Sequence, residues 1–96
     1  MEVIYHPLVC GDVEEALSYY RKVAVPLADE FHAELRSIIN RAGENPLRFH
    51  QADQGFQRAN LKRFPYHVLY EIRPESLRVM LVRHNKRHAQ YGLPRE

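Results

Sequence analysis

The period of the apolar residues changes once along this chain, near its midpoint. That change restricts the fold to helices first and a sheet afterwards. Val13, Ala16, Leu17, Tyr20, Val23 and Ala24 recur at spacings of three and four, and so do Leu27, Phe31, Leu35, Ile38, Ile39 and Ala42. Such spacings line up side chains on one side of a helix with about 3.6 residues per turn. From about Phe56 the period falls to two. Within 56–62, Arg58, Asn60 and Lys62 share one parity while Ala59 and Leu61 share the other. Tyr66, Val68, Tyr70 and Ile72 then alternate with His67, Leu69, Glu71 and Arg73. Alternation puts successive side chains on opposite faces of a strand, so this half is a sheet with a polar, basic face and an apolar one.

Punctuation residues set the boundaries. Val3-Ile4-Tyr5, closed by Pro7, predicts a brief strand. Asp12, with Glu15 three positions on, reads as the N-cap of a helix over roughly 13–24. Pro26 stops that helix and opens the next in its first turn, and Gly43 and Pro46 end the second. A connection this short folds the two helices back as an antiparallel hairpin. Arg63 to Pro65 and Pro74-Glu75-Ser76 are turns around the second strand, and Leu77 to about His84 is the third. Val79-Met80-Leu81-Val82 is apolar on both parities, the pattern of a strand inside a sheet and covered on both faces. Residues 45–55 read as a loop and 85–96 as a basic, irregular tail, without repeats or low-complexity tracts. The expected architecture is α+β: a short N-terminal strand, an antiparallel two-helix hairpin, then a three-stranded antiparallel meander. Its 96 residues suffice for one domain over 1–96 and one core.

Charge and cysteine usage narrow the function. The apolar runs are far shorter than the roughly 20 residues of a membrane-spanning helix, and Met1-Glu2 opens no basic, apolar signal pattern. The expected location is the cytoplasm, away from membranes. Cys10 is the single cysteine and reads as a small buried hydrophobe, with neither a disulfide nor a cysteine metal cluster open to it. His84 and His88 are four apart but straddle a strand end without an acidic third ligand, so no metal or other cofactor is expected. The net charge of +2 conceals an asymmetry. Residues 1–44 hold eight acidic and four basic side chains, whereas 45–96 hold ten basic and four acidic. Clustered Lys and Arg attract phosphate or an acidic partner, although a solvated sheet face has the same composition.

Particular residues carry a resemblance over nearly the whole chain. They include Tyr5-His6-Pro7, Asp12 with Ala16 and Tyr19-Tyr20, Phe31, Pro46, and the run Leu61-Lys62-Arg63-Phe64-Pro65-Tyr66. Val68-Leu69-Tyr70-Glu71-Ile72 and the tail His84-Asn85-Lys86-Arg87 with Tyr91 complete the set. In this order the chain resembles the RelE/ParE toxin superfamily of type II toxin-antitoxin systems. It looks most like the ParE-like branch, whose members are often described as plasmid stabilisation proteins.

That resemblance implies a growth-inhibiting toxin silenced by a cognate antitoxin, whose disordered C-terminal segment folds across the helices and sheet. ParE-like members are thought to poison DNA gyrase, which asks for a binding surface alone. RelE-like members cleave mRNA on the ribosome, which asks for cations on the phosphate, a base for the 2′-hydroxyl and an acid for the leaving oxygen. For a nuclease the matching positions are Arg58, His67, Arg87 and Tyr91. Asn60 stands where a second basic residue is common, and His67 where an arginine is. His67 serves either as a base near neutral pH or as a strand-face histidine without chemistry. Tyr91 either stacks on a nucleobase or plugs the tail onto the sheet. Arg58, Lys62, Arg63, Arg83, Lys86 and Arg87 form the candidate surface for a nucleic acid or protein target, with Arg63 and Phe64 also reading as fold determinants. A small basic domain that binds RNA without toxicity is the alternative from outside the superfamily.

Overall fold

The N-terminal run becomes β1 (Glu2–Tyr5), and it is followed by α1 (Val9–Val23), α2 (Val25–Glu44) and a 3-10 turn at Pro46–Arg48. Four strands complete the order: β2 (His50–Gln51), β3 (Gln57–Asn60), β4 (Tyr66–Ile72) and β5 (Ser76–His84). These bounds come from a computed structural model that describes residues 1–52 and 55–96. The helical hairpin packs against one face of a five-stranded sheet ordered β1-β5-β4-β3-β2. The meander β3-β4-β5 is antiparallel as expected, but β1 runs parallel to β5, so the whole sheet is mixed. A parallel neighbour needs a long crossover, and the hairpin supplies it.

Four local expectations change. The loop at 45–55 contains β2, paired with β3 through His50↔Arg58 and Gln51↔Gln57, while Asp53 and Gln54 of that loop lie outside the described residues. Helix α1 begins at Val9, four residues before the predicted start, so Asp12 sits in its first turn and does not cap it. His6 supplies the local acceptor instead, its Nδ1 taking the Leu8 N–H at 3.1 Å and its carbonyl the Val9 N–H at 3.0 Å. Gly43 lies inside α2, which runs on to Glu44. A Cβ there would meet Val3 Cγ2 at 3.1 Å, so the bare backbone is what admits β1 so close to the helix. Cys10 is exposed, because the longer helix turns it outward.

An aromatic cluster anchors the hairpin to the sheet. Phe31 of α2 lies 5.3 Å from Tyr20, 5.3 Å from Phe64 and 5.1 Å from Tyr66, ring centre to ring centre, and its contacts with Phe64 and Tyr66 are edge-on. Edge-to-face pairs at these separations add to the apolar burial of the rings. The connection between β3 and β4 is held from the helical side as well. Glu34 accepts the backbone N–H groups of Lys62 at 2.6 Å and Arg63 at 3.2 Å, and Arg63 donates to Glu30 at 3.1 Å. Tyr70 donates its hydroxyl to the Pro46 carbonyl, and burial pushes its pKa up to about 12.

The β4–β5 ladder carries a bulge. Leu69 pairs with Leu81 but Tyr70 pairs with Val79, which leaves Met80 without a cross-strand partner. An extra residue on one strand shifts which peptide groups face the free edge.

Candidate functional site

The helix-free face of the sheet holds a chain of polar side chains laid across three strands. Asn60, His67 and Arg83 stand side by side in register on β3, β4 and β5. Arg58 donates through Nε to Asn60 Oδ1 at 2.9 Å. His67 is 1% exposed, and both ring nitrogens are engaged. Arg83 Nε donates to His67 Nε2 at 3.1 Å, and His67 Nδ1 lies 2.7 Å from Asn85 Oδ1. Since arginine only donates, Nε2 is the acceptor and the proton sits on Nδ1, donated to Asn85. Burial disfavours the imidazolium, and the nearby Arg58, Arg83 and His84 disfavour it further, while the Asn85 bond opposes them. The net effect is a pKa pushed down to about 4.

Arg83 belongs to the fold's interior. It is 7% exposed, and its Nη1 donates to the carbonyls of Ala89 at 2.7 Å and Tyr91 at 3.1 Å, fastening the tail.

Arg87 and Tyr91 turn the other way, against α1. Arg87 Nη2 donates to Glu15 Oε1 at 3.0 Å, and its guanidinium lies 4.2 Å from the centre of the Tyr91 ring. One face of Tyr91 is therefore covered by a cation, and the ring remains 45% exposed. The four candidate nuclease positions thus divide between two places, Arg58 and His67 on the open sheet face and Arg87 and Tyr91 beside α1. His84 packs edge-on against Tyr66 and accepts the Lys86 N–H, while His88 accepts the Gln90 N–H, so each imidazole serves its own turn.

Three of the ten basic side chains of residues 45–96 are neutralised by the acidic half. Arg63–Glu30, Arg87–Glu15 and Arg95–Asp12 each join the basic half to the acidic helices. Lys62, Lys86 and Arg48 stay exposed. In the sequence Arg95 reads only as one cation of the basic tail. Its partner is 83 residues away, and a single arginine in an irregular tail carries no local signal.

A second feature is an apolar groove of about 550 Å³ between α1, α2 and the end of β1. Tyr5, Cys10, Val13, Leu17, His32 and Ile39 are among its lining residues, and Tyr5 is 54% exposed. The apolar face of α1 is thus shared between the core and open solvent. No helix among the described residues is long and apolar enough to cross a membrane.

The sequence matches the family model of the ParE toxin of the type II toxin-antitoxin system, parDE, over residues 3–89. The chain belongs to the ParE toxin family. As a ParE-family toxin it has an antitoxin as its partner. No curated protein matches it. Among solved structures, a chain of the chromosomal ParDE TA system from P. aeruginosa is similar in fold, with a TM-score of 0.77 and 11% sequence identity. The match covers 88% of this chain and 95% of that one. The strand, helical hairpin and meander are therefore the ParE arrangement. At such low identity the likeness extends to the backbone alone.

Proposed function

We infer that this ParE-family chain halts growth by binding and poisoning DNA gyrase in the cytoplasm, and that its antitoxin silences it by docking in the groove beside α1. The observation that carries the first part is the state of His67. It is the one member of the candidate nuclease set with an ordinary pKa near neutrality, yet both its nitrogens are bonded within the fold and it is held neutral far below pH 7. A general base needs a free lone pair within reach of the proton it takes. A gyrase poison needs none, since its action rests on surface recognition. Binding to free RNA is disfavoured because Arg63, Arg87 and Arg95 already pair with helix carboxylates.

The groove fits an amphipathic segment that folds as it binds, with aliphatic side chains entering between Tyr5 and Leu17 and acidic ones reaching the remaining cations. Replacing the exposed Cys10 by Glu adds a second negative charge to the groove's rim, one helical turn from Glu14, where it repels an acidic segment. The variant is expected to weaken antitoxin binding at least tenfold, read by calorimetry, while growth arrest persists.

The deciding experiment is induced expression in a bacterial host, with growth, the SOS response and total mRNA followed together, alongside the Arg87→Ala/Tyr91→Ala variant. Arrest with SOS induction and intact mRNA supports gyrase. Codon-phased mRNA cuts that vanish in the double variant would replace this reading with the ribosome-dependent nuclease. Soluble expression without arrest would remove both.

A further inference from the structure

β5 is nine residues long, and β1 covers only its first part, ending at Tyr5↔Val79. The His6 N–H still reaches the Val79 carbonyl at 2.8 Å, and there the ladder stops. Beyond the bulge, two β5 peptide groups on this side are met by side chains. Arg95 Nη1 donates to the Met80 carbonyl at 3.0 Å, and the Val82 N–H donates to Asp12 Oδ2 at 3.1 Å. The two side chains also bind each other at both ends, at 2.6 and 2.9 Å.

This pattern has a specific meaning. In a parallel ladder, one residue of the neighbouring strand donates its N–H to the carbonyl before its opposite number and accepts the N–H of the residue after it. Met80 O and Val82 N–H flank Leu81 in that way. The Asp12–Arg95 pair therefore reproduces the donor and acceptor of one peptide residue opposite Leu81, and prolongs the parallel ladder that β1 begins.

The surrogate is held by few groups. Arg95 is 9% exposed at the side chain, yet its Nε has no partner among the described residues. The tail above it is fastened chiefly by arginines: Arg83 to the Ala89 and Tyr91 carbonyls, and Arg78 to the Glu96 carbonyl at 3.1 Å. Gly92, at φ +82°, brings the tail backbone over Leu81, where a Cβ would stand 3.3 Å from Leu81 Cδ2. Releasing the tail would uncover an unpaired strand edge together with the apolar side chain of Leu81.

We propose that the β5 edge opposite Leu81 is a strand-addition site, closed in the free chain by Asp12 and Arg95, and that the antitoxin opens it by laying an extended segment parallel to β5. This rests on the antitoxin partnership and goes beyond the groove. Asp12 projects from the flank of α1 away from the groove, beside Val82, Arg83 and Tyr91, so the strand-forming segment is a different stretch of the antitoxin from the one in the groove. The backbone of the strand-forming segment would take over both bonds and release the Arg95 guanidinium to solvent.

The test compares the full chain with Arg95→Ala and Arg95→Lys variants, using the cognate antitoxin as probe. Removing a competitor for the edge raises the fraction of competent molecules, so Arg95→Ala should tighten antitoxin binding by roughly tenfold, with Arg95→Lys between it and the parent. A purely structural Arg95 would give the opposite sign. Thermal melts identify any variant that fails to fold. For that case, NMR on the parent chain reads the same event: in the complex the Arg95 guanidinium signals lose their protection while the Val82 amide keeps its own. Antitoxin bound with the Arg95 signals unchanged would overturn strand addition and leave the partnership standing. Failure of the antitoxin to bind the parent chain at all would overturn the partnership, and strand addition with it.

Discussion

Truncating Phe31 to alanine is expected to lower the unfolding free energy by about 3–5 kcal/mol, the range for removing a fully buried aromatic ring from a core. The upper part of that range applies here because the surroundings cannot collapse into the void. Phe31 is 0% exposed, and three rings stand within 5.3 Å of its centre, supplied by α1, the β3–β4 connection and β4. Closing the gap would require all three elements to move together. Urea titration of parent and variant measures the loss. A Phe31→Ala/Phe64→Ala pair should cost less than the sum of its singles, because the second truncation removes contacts the first has already broken. A loss below about 1 kcal/mol would mean that the hairpin repacks freely on the sheet. The groove depends on this anchor, since α2 carries His32, Leu35 and Ile39 into its wall and Phe31 fixes the height of α2 above the sheet.

Periodicity made the layers legible and long-range pairing did not. Leu27 to Ala42 and Tyr66 to Ile72 declare their buried faces by spacing alone, and β4 falls within the residues that alternate. Val79 to Val82, apolar on both parities, correctly marked a strand with neighbours on either side, and the cover on the second face proved to be the chain's own tail. The parallel place of β1 was hidden, because four residues with half-buried Val3 and Ile4 between exposed ends are compatible with either direction. Asp12 shows why caps mislead. Its neighbourhood has the composition of a helix start, but the carboxylate is drawn 83 residues along the chain to Arg95, and tertiary pairing overrides the local preference. In the basic half, sequence counts charges without revealing that Arg63, Arg87 and Arg95 take helix carboxylates as their counter-ions.

Acid should destabilise the chain through His67 in a window where few other groups titrate. The folded-state pKa is about 4 against an ordinary 6.5, so between these values the unfolded chain holds a proton that the folded chain refuses. Stability from this residue is full above pH 6.5 and declines as pH falls toward 4, by about 3 kcal/mol in total and about 2 kcal/mol by pH 5. Carboxylates begin to contribute below pH 5, so the measurement is the difference between parent and His67→Gln in denaturation midpoints from pH 7.5 to 5. The parent should lose stability steeply, and the variant should lose less from a lower starting point, its remaining loss coming from His6, whose pKa burial and the nearby Arg78 and Arg95 also lower. The physical route is specific. A proton on Nε2 would face the Arg83 guanidinium, and Arg83 holds the Ala89 and Tyr91 carbonyls, so the tail should loosen first and the Val82 amide should exchange faster before the sheet unfolds. Coincident loss of tail and sheet would mean that Arg83 keeps its place against a protonated ring. A ring that titrates near 6.5 by NMR, without loss of stability, would return an accessible base to the open sheet face and with it the case for nuclease chemistry.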